Sequence, residues 1–227
     1  MINCEVPFLK TSKKKPLERK VLRHEIKKII ADAIVNGDLA PGDRIIETKI
    51  ARELEVSQAP VREAIRELEQ MGLVETQPYK GSFVRLIRGQ EFSEAYKLRS
   101  LLEGYAARIT AENINEDLLK KFKKLVEEMY RCAEEEERFE FIESDVAFHE
   151  LIIKSTESDL FFRVWSLVNM IYLPFLTFAK STMSLGELVL QHERILDAFV
   201  KKDPEAACKA VQMHIEGLGE IFTHKLT

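Results

Sequence analysis

Apolar residues recur at helical spacing from Leu17 to Asn36, where Val21, Ile26, Ile29, Ile30 and Ala33 fall on one stripe. A period near 3.6 marks an amphipathic helix. Gly37 ends it, and Ala40-Pro41-Gly42-Asp43 supplies turn chemistry before a short apolar run, Arg44-Ile45-Ile46, that reads as one strand. The pattern then predicts a short helix over Glu47–Leu54, a tight turn at Glu55-Val56-Ser57, and a second helix over Gln58–Met71 with Val61, Ile65 and Leu68 inward. Ser57 takes the cap position, and Pro60 falls in the first turn, where its missing N–H has no helical partner to lose. After Gly72 the period changes to two: Leu73–Gln77 and Ser82–Leu86 flank Pro78-Tyr79-Lys80-Gly81, which predicts a hairpin.

Helix, turn, helix and a two-stranded wing is the order of a winged helix-turn-helix. The predicted class is therefore mainly α. A flexible tail over 1–16 precedes a winged helix-turn-helix of three helices and a small β-hairpin over 17–88, and an all-α helical bundle follows over 89–227. Breaks near Asn113–Asn115, Ser155–Ser158, Ser184–Gly186 and Asp203-Pro204 divide that second part into roughly six helices. The most apolar stretch, Leu160 to Ala179, has the length of a membrane span but contains Arg163, Asn169 and Pro174. It reads as a buried core helix, and no membrane partner is expected.

Charge sharpens this division. Residues 1–88 carry 17 Lys+Arg against 13 Asp+Glu, whereas residues 89–227 carry 17 against 25. A basic head on an acidic body suits a nucleic-acid partner for the head alone. Cys4, Cys132 and Cys208 are far apart and lack C-x-x-C spacing, and Met1 to Pro16 has Lys13-Lys14-Lys15 without an apolar run behind it. Both features predict a reducing, cytoplasmic setting.

A helix that reads DNA needs a polar N-terminal end facing base edges and an opposite face packed on its own domain. Ser57, Gln58, Ala59 and Arg62 occupy the first turn or so of the second helix, and Arg66 follows one turn on. Arg pairs bidentately with guanine and Gln with adenine, so Gln58 and Arg62 are the base-reading candidates. Lys49, Arg52, Ser57 and Lys80 are placed for phosphates, with Lys80-Gly81 at the wing tip. Arg62 and Arg66, with their neighbours Glu63, Glu67 and Glu69, also fit the solvated face of an ordinary amphipathic helix.

Four segments carry a resemblance: Asp38-Leu39-Ala40-Pro41-Gly42-Asp43-Arg44-Ile45, Ala51-Arg52-Glu53-Leu54-Glu55-Val56-Ser57, Pro60-Val61-Arg62-Glu63-Ala64-Ile65-Arg66-Glu67-Leu68 and Gly72-Leu73-Val74. Through them residues 18–86 resemble the DNA-binding domain of the GntR family. The resemblance implies a dimeric transcription factor on a palindromic operator, with Arg62 at the recognition-helix arginine and Gly81 at the wing glycine. Gln58 and Ala59 stand where many members have Arg and Thr, and Thr48 where some have an operator-contacting Arg, so no operator sequence transfers.

In the second half, Asp145 and His149 are four apart and share a helix face, while His192 and His214 sit in later apolar stripes near Leu190 and Ile195, and near Val211 and Ile215. One Asp with three neutral imidazoles suits Zn, Ni, Mn or Fe, although buried histidines are also common as hydrogen-bonded core. His24 and His224 do not fall in a common pattern with them. Residues 90–222 resemble the all-helical FCD ligand-binding domain of the FadR-type GntR subfamily, through Tyr96–Glu103, Asp145-x3-His149, Gln191–Ala198 and Met213-His214. That resemblance implies Asp145, His149, His192 and His214 as ligands of a divalent transition metal, and a small carboxylate as effector. Arg99 then either contacts the acid or pairs with Glu103 one turn on.

The function that follows is a regulator, repressor or activator, whose operator affinity is controlled by an acid at the metal, and not an enzyme. Two rivals remain at this level. A metal-dependent hydrolase would use an open metal position to activate water, but no general base or nucleophile motif accompanies the cluster. Alternatively, the metal is purely structural or is itself the signal.

Overall fold

The computed structural model describes residues 19–86, 89–167 and 183–223. The expected flexible tail over 1–16 lies outside them. Contacts divide the chain into two compact units, Met1–Ile87 and Arg88–Thr227.

In the first unit α1 (Arg19–Val35) buries Ile26, Ile30, Ala33 and Ile34. It stops where the Leu39 N–H turns back to the Ala33 carbonyl at 3.0 Å, around Gly37 at φ +80°. Strand β1 (Arg44–Ile45) leads into α2 (Glu47–Glu53). A turn through Glu55 at φ +55° then sets up α3 (Gln58–Gln70). Val61, Ala64, Ile65 and Leu68 form the buried face of α3, which packs on α1. Ser57 holds the cap position with extended backbone, yet its side chain makes no capping hydrogen bond.

β2 (Val74–Gln77) and β3 (Gly81–Val84) form the antiparallel hairpin, pairing Val74 with Val84 and Gln77 with Gly81. The sheet has three strands in the order β1-β3-β2, because Arg44 and Ile45 pair with Phe83 and Ser82. Gly81 sits at φ +102°, and a Cβ there would meet the Arg44 guanidinium at 3.4 Å. A side chain is thus disfavoured by the backbone conformation, while the Arg44 contact is an ordinary one.

The second unit contains α4 (Gly89–Asn113), α5 (Glu116–Glu134), α6 (Arg138–Lys154), α7 (Asp159–Leu167), α8 (Leu185–Val200) and α9 (Pro204–Thr223). Asn115 caps α5 by accepting from the Leu118 N–H, and Ser184 with Glu187 forms a reciprocal capping box on α8. α6 is the central helix: Phe139, Phe141, Ile142, Asp145, Phe148, His149, Ile152 and Ile153 are all buried. α9 runs along α4, and α5 packs on α6 and α8. Gly104 permits part of that approach, since a Cβ there would lie 2.7 Å from the Gln212 side chain.

Two expectations change. The break between α5 and α6 is absent from the predicted set, because Glu136 turns the chain at φ +55° inside a run of glutamates with no glycine or proline to mark it. The predicted core helix over Leu160–Ala179 is not buried where it is described: in α7 Trp165 is buried, but Leu160 and Leu167 are 61% and 79% exposed. α7 meets the bundle through one face, whereas the apolar composition extends round the helix. Residues 168–179 of that prediction lie outside the described residues.

Candidate metal centre and DNA-reading face

α6 carries Asp145 and His149 one turn apart, α8 brings His192 and α9 brings His214, each no more than 3% exposed. One ligand atom from each lies within 4.8 Å of all the others. His192 Nε2 is 3.1 Å from Asp145 Oδ1, while His149 Nε2 and His214 Nε2 are 3.9 and 4.0 Å from it. These four atoms are buried and none has a hydrogen-bond partner. A buried polar atom left unpaired costs about 1–3 kcal/mol, so four converging on one point are expensive unless something joins them.

The opposite nitrogen of each ring is held. His149 Nδ1 lies 2.5 Å from Glu103 Oε2, His192 Nδ1 2.9 Å from the Leu188 carbonyl, and His214 Nδ1 2.8 Å from Gln191 Oε1. All three partners are acceptors, so the proton resides on Nδ1 and the Nε2 lone pair faces the common point. Outer hydrogen bonds of this kind fix tautomer and ring orientation at metal sites. The rings also brace one another: His149 stacks on His214 at 5.2 Å, and Phe148 meets His192 edge-on at 5.1 Å.

The electrostatics agree with a cation site. Burial, aided by repulsion from His192, His149 and Arg99, holds His214 well below the usual histidine range and keeps it neutral. Burial pushes Asp145 upward, but His192, His149 and Arg99 outweigh it and keep the carboxylate ionised. The donor set fits a borderline transition ion rather than the all-oxygen sites of calcium or magnesium.

Arg99 is buried on α4 and its Nε donates to Glu103 Oε1 at 2.7 Å, so the predicted pair one helical turn apart is formed. Its Nη1 nonetheless remains buried without a partner. Trp165 Nε1 donates to the same Glu103 oxygen at 3.0 Å. Burial pushes the Glu103 carboxyl up, yet Arg99 and His149 bring it down to about 2. In the sequence Glu103 stands out only as the i+4 neighbour of Arg99; its links to α6 and α7 are tertiary. Leu190, expected beside His192, is half exposed, since two residues along a helix face different sides.

On the first unit Ser57, Gln58, Ala59, Arg62 and Arg66 are exposed at the start and along one side of α3. Arg52 on α2 and Lys80 on the wing are also exposed, whereas Lys49 and Gly81 are half-buried. The glutamates beside the arginines turn elsewhere: Glu63 and Glu67 pair with Arg23 of α1, and Glu69 accepts from the Thr76 N–H of β2. Arg62 and Arg66 are thus separated from three of the carboxylates that would make an ordinary mixed-charge face. Two residues join this region without prediction. Glu47 accepts from Arg62 Nε at 3.0 Å, and Arg44 lies against the wing glycine.

Residues 22–84 match the model of bacterial regulatory proteins of the gntR family, and residues 94–217 that of the FCD domain. The chain is 32% identical over 201 residues to the "Probable D-xylose utilization operon transcriptional repressor" of Paenarthrobacter nicotinovorans, covering 88% of each chain. It is 26% identical over 208 residues to the HTH-type transcriptional repressor RspR of Escherichia coli K12, again covering 88% of each. Among solved structures it resembles E. coli McbR/YncC with a TM-score of 0.67 at 19% identity, over 92% of this chain and 98% of that one, which is a likeness of fold. Among the described residues no helix is long and apolar enough to cross a membrane. The chain belongs to the GntR family of bacterial regulatory proteins and is a DNA-binding transcriptional regulator whose second unit is an FCD domain.

Proposed function

We propose that the protein is a repressor that binds a palindromic operator as a homodimer, and that a small carboxylate at a divalent transition metal held by Asp145, His149, His192 and His214 controls its operator affinity. The observation carrying this reading is the convergence of four buried ligand atoms without hydrogen-bond partners. Such an ion, Zn, Ni, Mn or Fe, supplies positions open to an acid's oxygen. Arg99 contributes the second element of acid recognition, because its buried Nη1 has a donor to spare after Nε is taken by Glu103.

Gln58 and Arg62 read bases from the exposed start of α3, with Ala59 beside them and Arg66 one turn on. Lys49, Arg52, Ser57, Lys80 and the backbone at Gly81 hold phosphates. The repressor sign follows the names of the relatives. Dimerisation is supported by Leu98, Leu101 and Tyr105, which form an exposed apolar stripe on α4. For acid binding to change operator affinity, the acid must favour one of two conformations.

The test is elemental analysis of the purified chain by mass spectrometry, with His149→Ala and His214→Ala alongside, followed by titration of a duplex selected from random DNA. About one transition metal per chain, lost in both variants, and an operator affinity that shifts with small carboxylates only when metal is present, is the expected result. A chain that takes up no metal after repletion overturns the sensing mechanism while leaving the DNA-reading face. Metal uptake that shifts operator affinity without any acid would make the metal itself the signal.

A further inference from the structure

One carboxylate ties the candidate metal centre to the residue placed for the acid. Glu103 Oε2 meets His149 Nδ1 at 2.5 Å, while Oε1 accepts from Arg99 Nε at 2.7 Å and Trp165 Nε1 at 3.0 Å. Its side chain is fully buried, as are those of His149 and Arg99 to within 2%. Three donors from α4, α6 and α7 therefore end on two oxygens buried away from the surface. We infer that Glu103 is a positioning residue that orients His149 for the metal and Arg99 for the acid through its two separate oxygens. This inference rests on the metal reading above.

Each contact has a definite consequence. The acceptor at His149 Nδ1 keeps the proton there and leaves the Nε2 lone pair directed at Asp145, His192 and His214. The acceptor at Arg99 Nε pins the guanidinium, so that its buried, unpartnered Nη1 is held in one orientation rather than swinging freely. A carboxylate suits this position because both its oxygens only accept. An amide of the same shape offers one acceptor and one NH₂. With the NH₂ toward His149 it donates to Nδ1 and moves the ring proton to Nε2, which removes the ligand lone pair. With the NH₂ toward Arg99 and Trp165, three N–H groups face one another.

The test measures affinity for Zn alone, or Ni alone, by competition with a chromophoric chelator. Glu103→Gln should weaken it about 10–100-fold, the range typical for loss of an outer partner of a ligating histidine. Trp165→Phe, which removes a donor that serves neither the metal nor the acid, should leave metal affinity near that of the wild type. A second readout needs no variant: ¹⁵N chemical shifts of the metal-free wild type should show His149 as the Nδ1–H tautomer. Thermal melting of each metal-free variant reports whether it folds.

Wild-type metal affinity in folded Glu103→Gln overturns the inference, as does an Nε2–H tautomer of His149 in the metal-free chain. Equal losses in Glu103→Gln and Trp165→Phe overturn it too, since they mark general loosening of the core. Should Glu103→Gln fail to fold, the tautomer alone decides. A wild-type chain that binds neither ion overturns the metal reading, and the inference with it. Metal binding by the wild type with no loss in Glu103→Gln sinks the inference alone.

Discussion

Arg62 and Glu47, fifteen residues apart in sequence, are joined across the turn between α2 and α3, with Nε 3.0 Å from Oε2. The arginine is half exposed, so the pair contributes little to stability but limits where the guanidinium points. Its remaining N–H groups stay available at the polar start of the recognition helix. Arg62→Ala should remove about 1–3 kcal/mol of discrimination between operator and random duplex, read by fluorescence anisotropy. Equal loss on both sequences would mean that Arg62 contacts only phosphate.

Lys80 at the wing should behave in the opposite way. Lys80→Ala is expected to weaken operator and random DNA alike and to reduce the slope of log affinity against log salt by about 1. An unchanged slope would remove Lys80 from the interface.

Metal should stabilise the second unit measurably if the four-ligand cluster binds it. Ligand at about 100 times its dissociation constant adds about 2.7 kcal/mol, so the melting temperature of the wild type should rise on adding Zn or Ni. Asp145→Asn and His149→Ala should abolish that rise. A rise that persists in both variants would place the stabilising ion elsewhere.

Cys132 offers a pH test away from both sites. Burial pushes its thiol up to about 11, outweighing the opposing pull of Arg131. The folded state then holds a proton that the unfolded state gives up near 9, so this group's contribution to stability falls as pH rises from about 9 to 11. Urea unfolding over that window should show a slope that is shallower in Cys132→Ala. At pH 8 a thiol reagent should label half-exposed Cys208 before buried Cys132. Faster labelling of Cys132 would contradict its burial.

Gly81→Val should destabilise the first unit by about 1–3 kcal/mol, because φ +102° is strained for a β-branched residue. Melting of the variant against wild type checks it. A loss of operator affinity without a loss of stability would instead point to the wing's contact with DNA.

Periodicity was enough to order the elements of the first unit, because most of them end in turn residues with a visible cause: Gly37, Pro41-Gly42, Gly72 and Gly81. It also placed Asp145 and His149 on one face, since four residues along a helix return to the same side. The polar opening of α3, with Gln58 and Arg62 exposed above Val61, Ile65 and Leu68, was legible for the same reason. Together with the segments that resemble GntR and FCD domains, those local patterns determined the class of protein.

Only the tertiary structure decided what periodicity does not record, namely which faces meet. His192 and His214 come from different helices, and nothing in their spacing says that both Nε2 atoms reach Asp145. Glu103 joins partners 46 and 62 residues away, so its role exists only once α4, α6 and α7 are packed. The turn at Glu136 was illegible because a non-glycine residue can be forced to positive φ by its surroundings while its composition still reads as helix. Exposure of α7 was misjudged because apolar composition counts side chains without knowing how much of the helix the bundle covers. Local sequence sets the face each helix can bury; long-range packing sets which charges and lone pairs converge behind those faces.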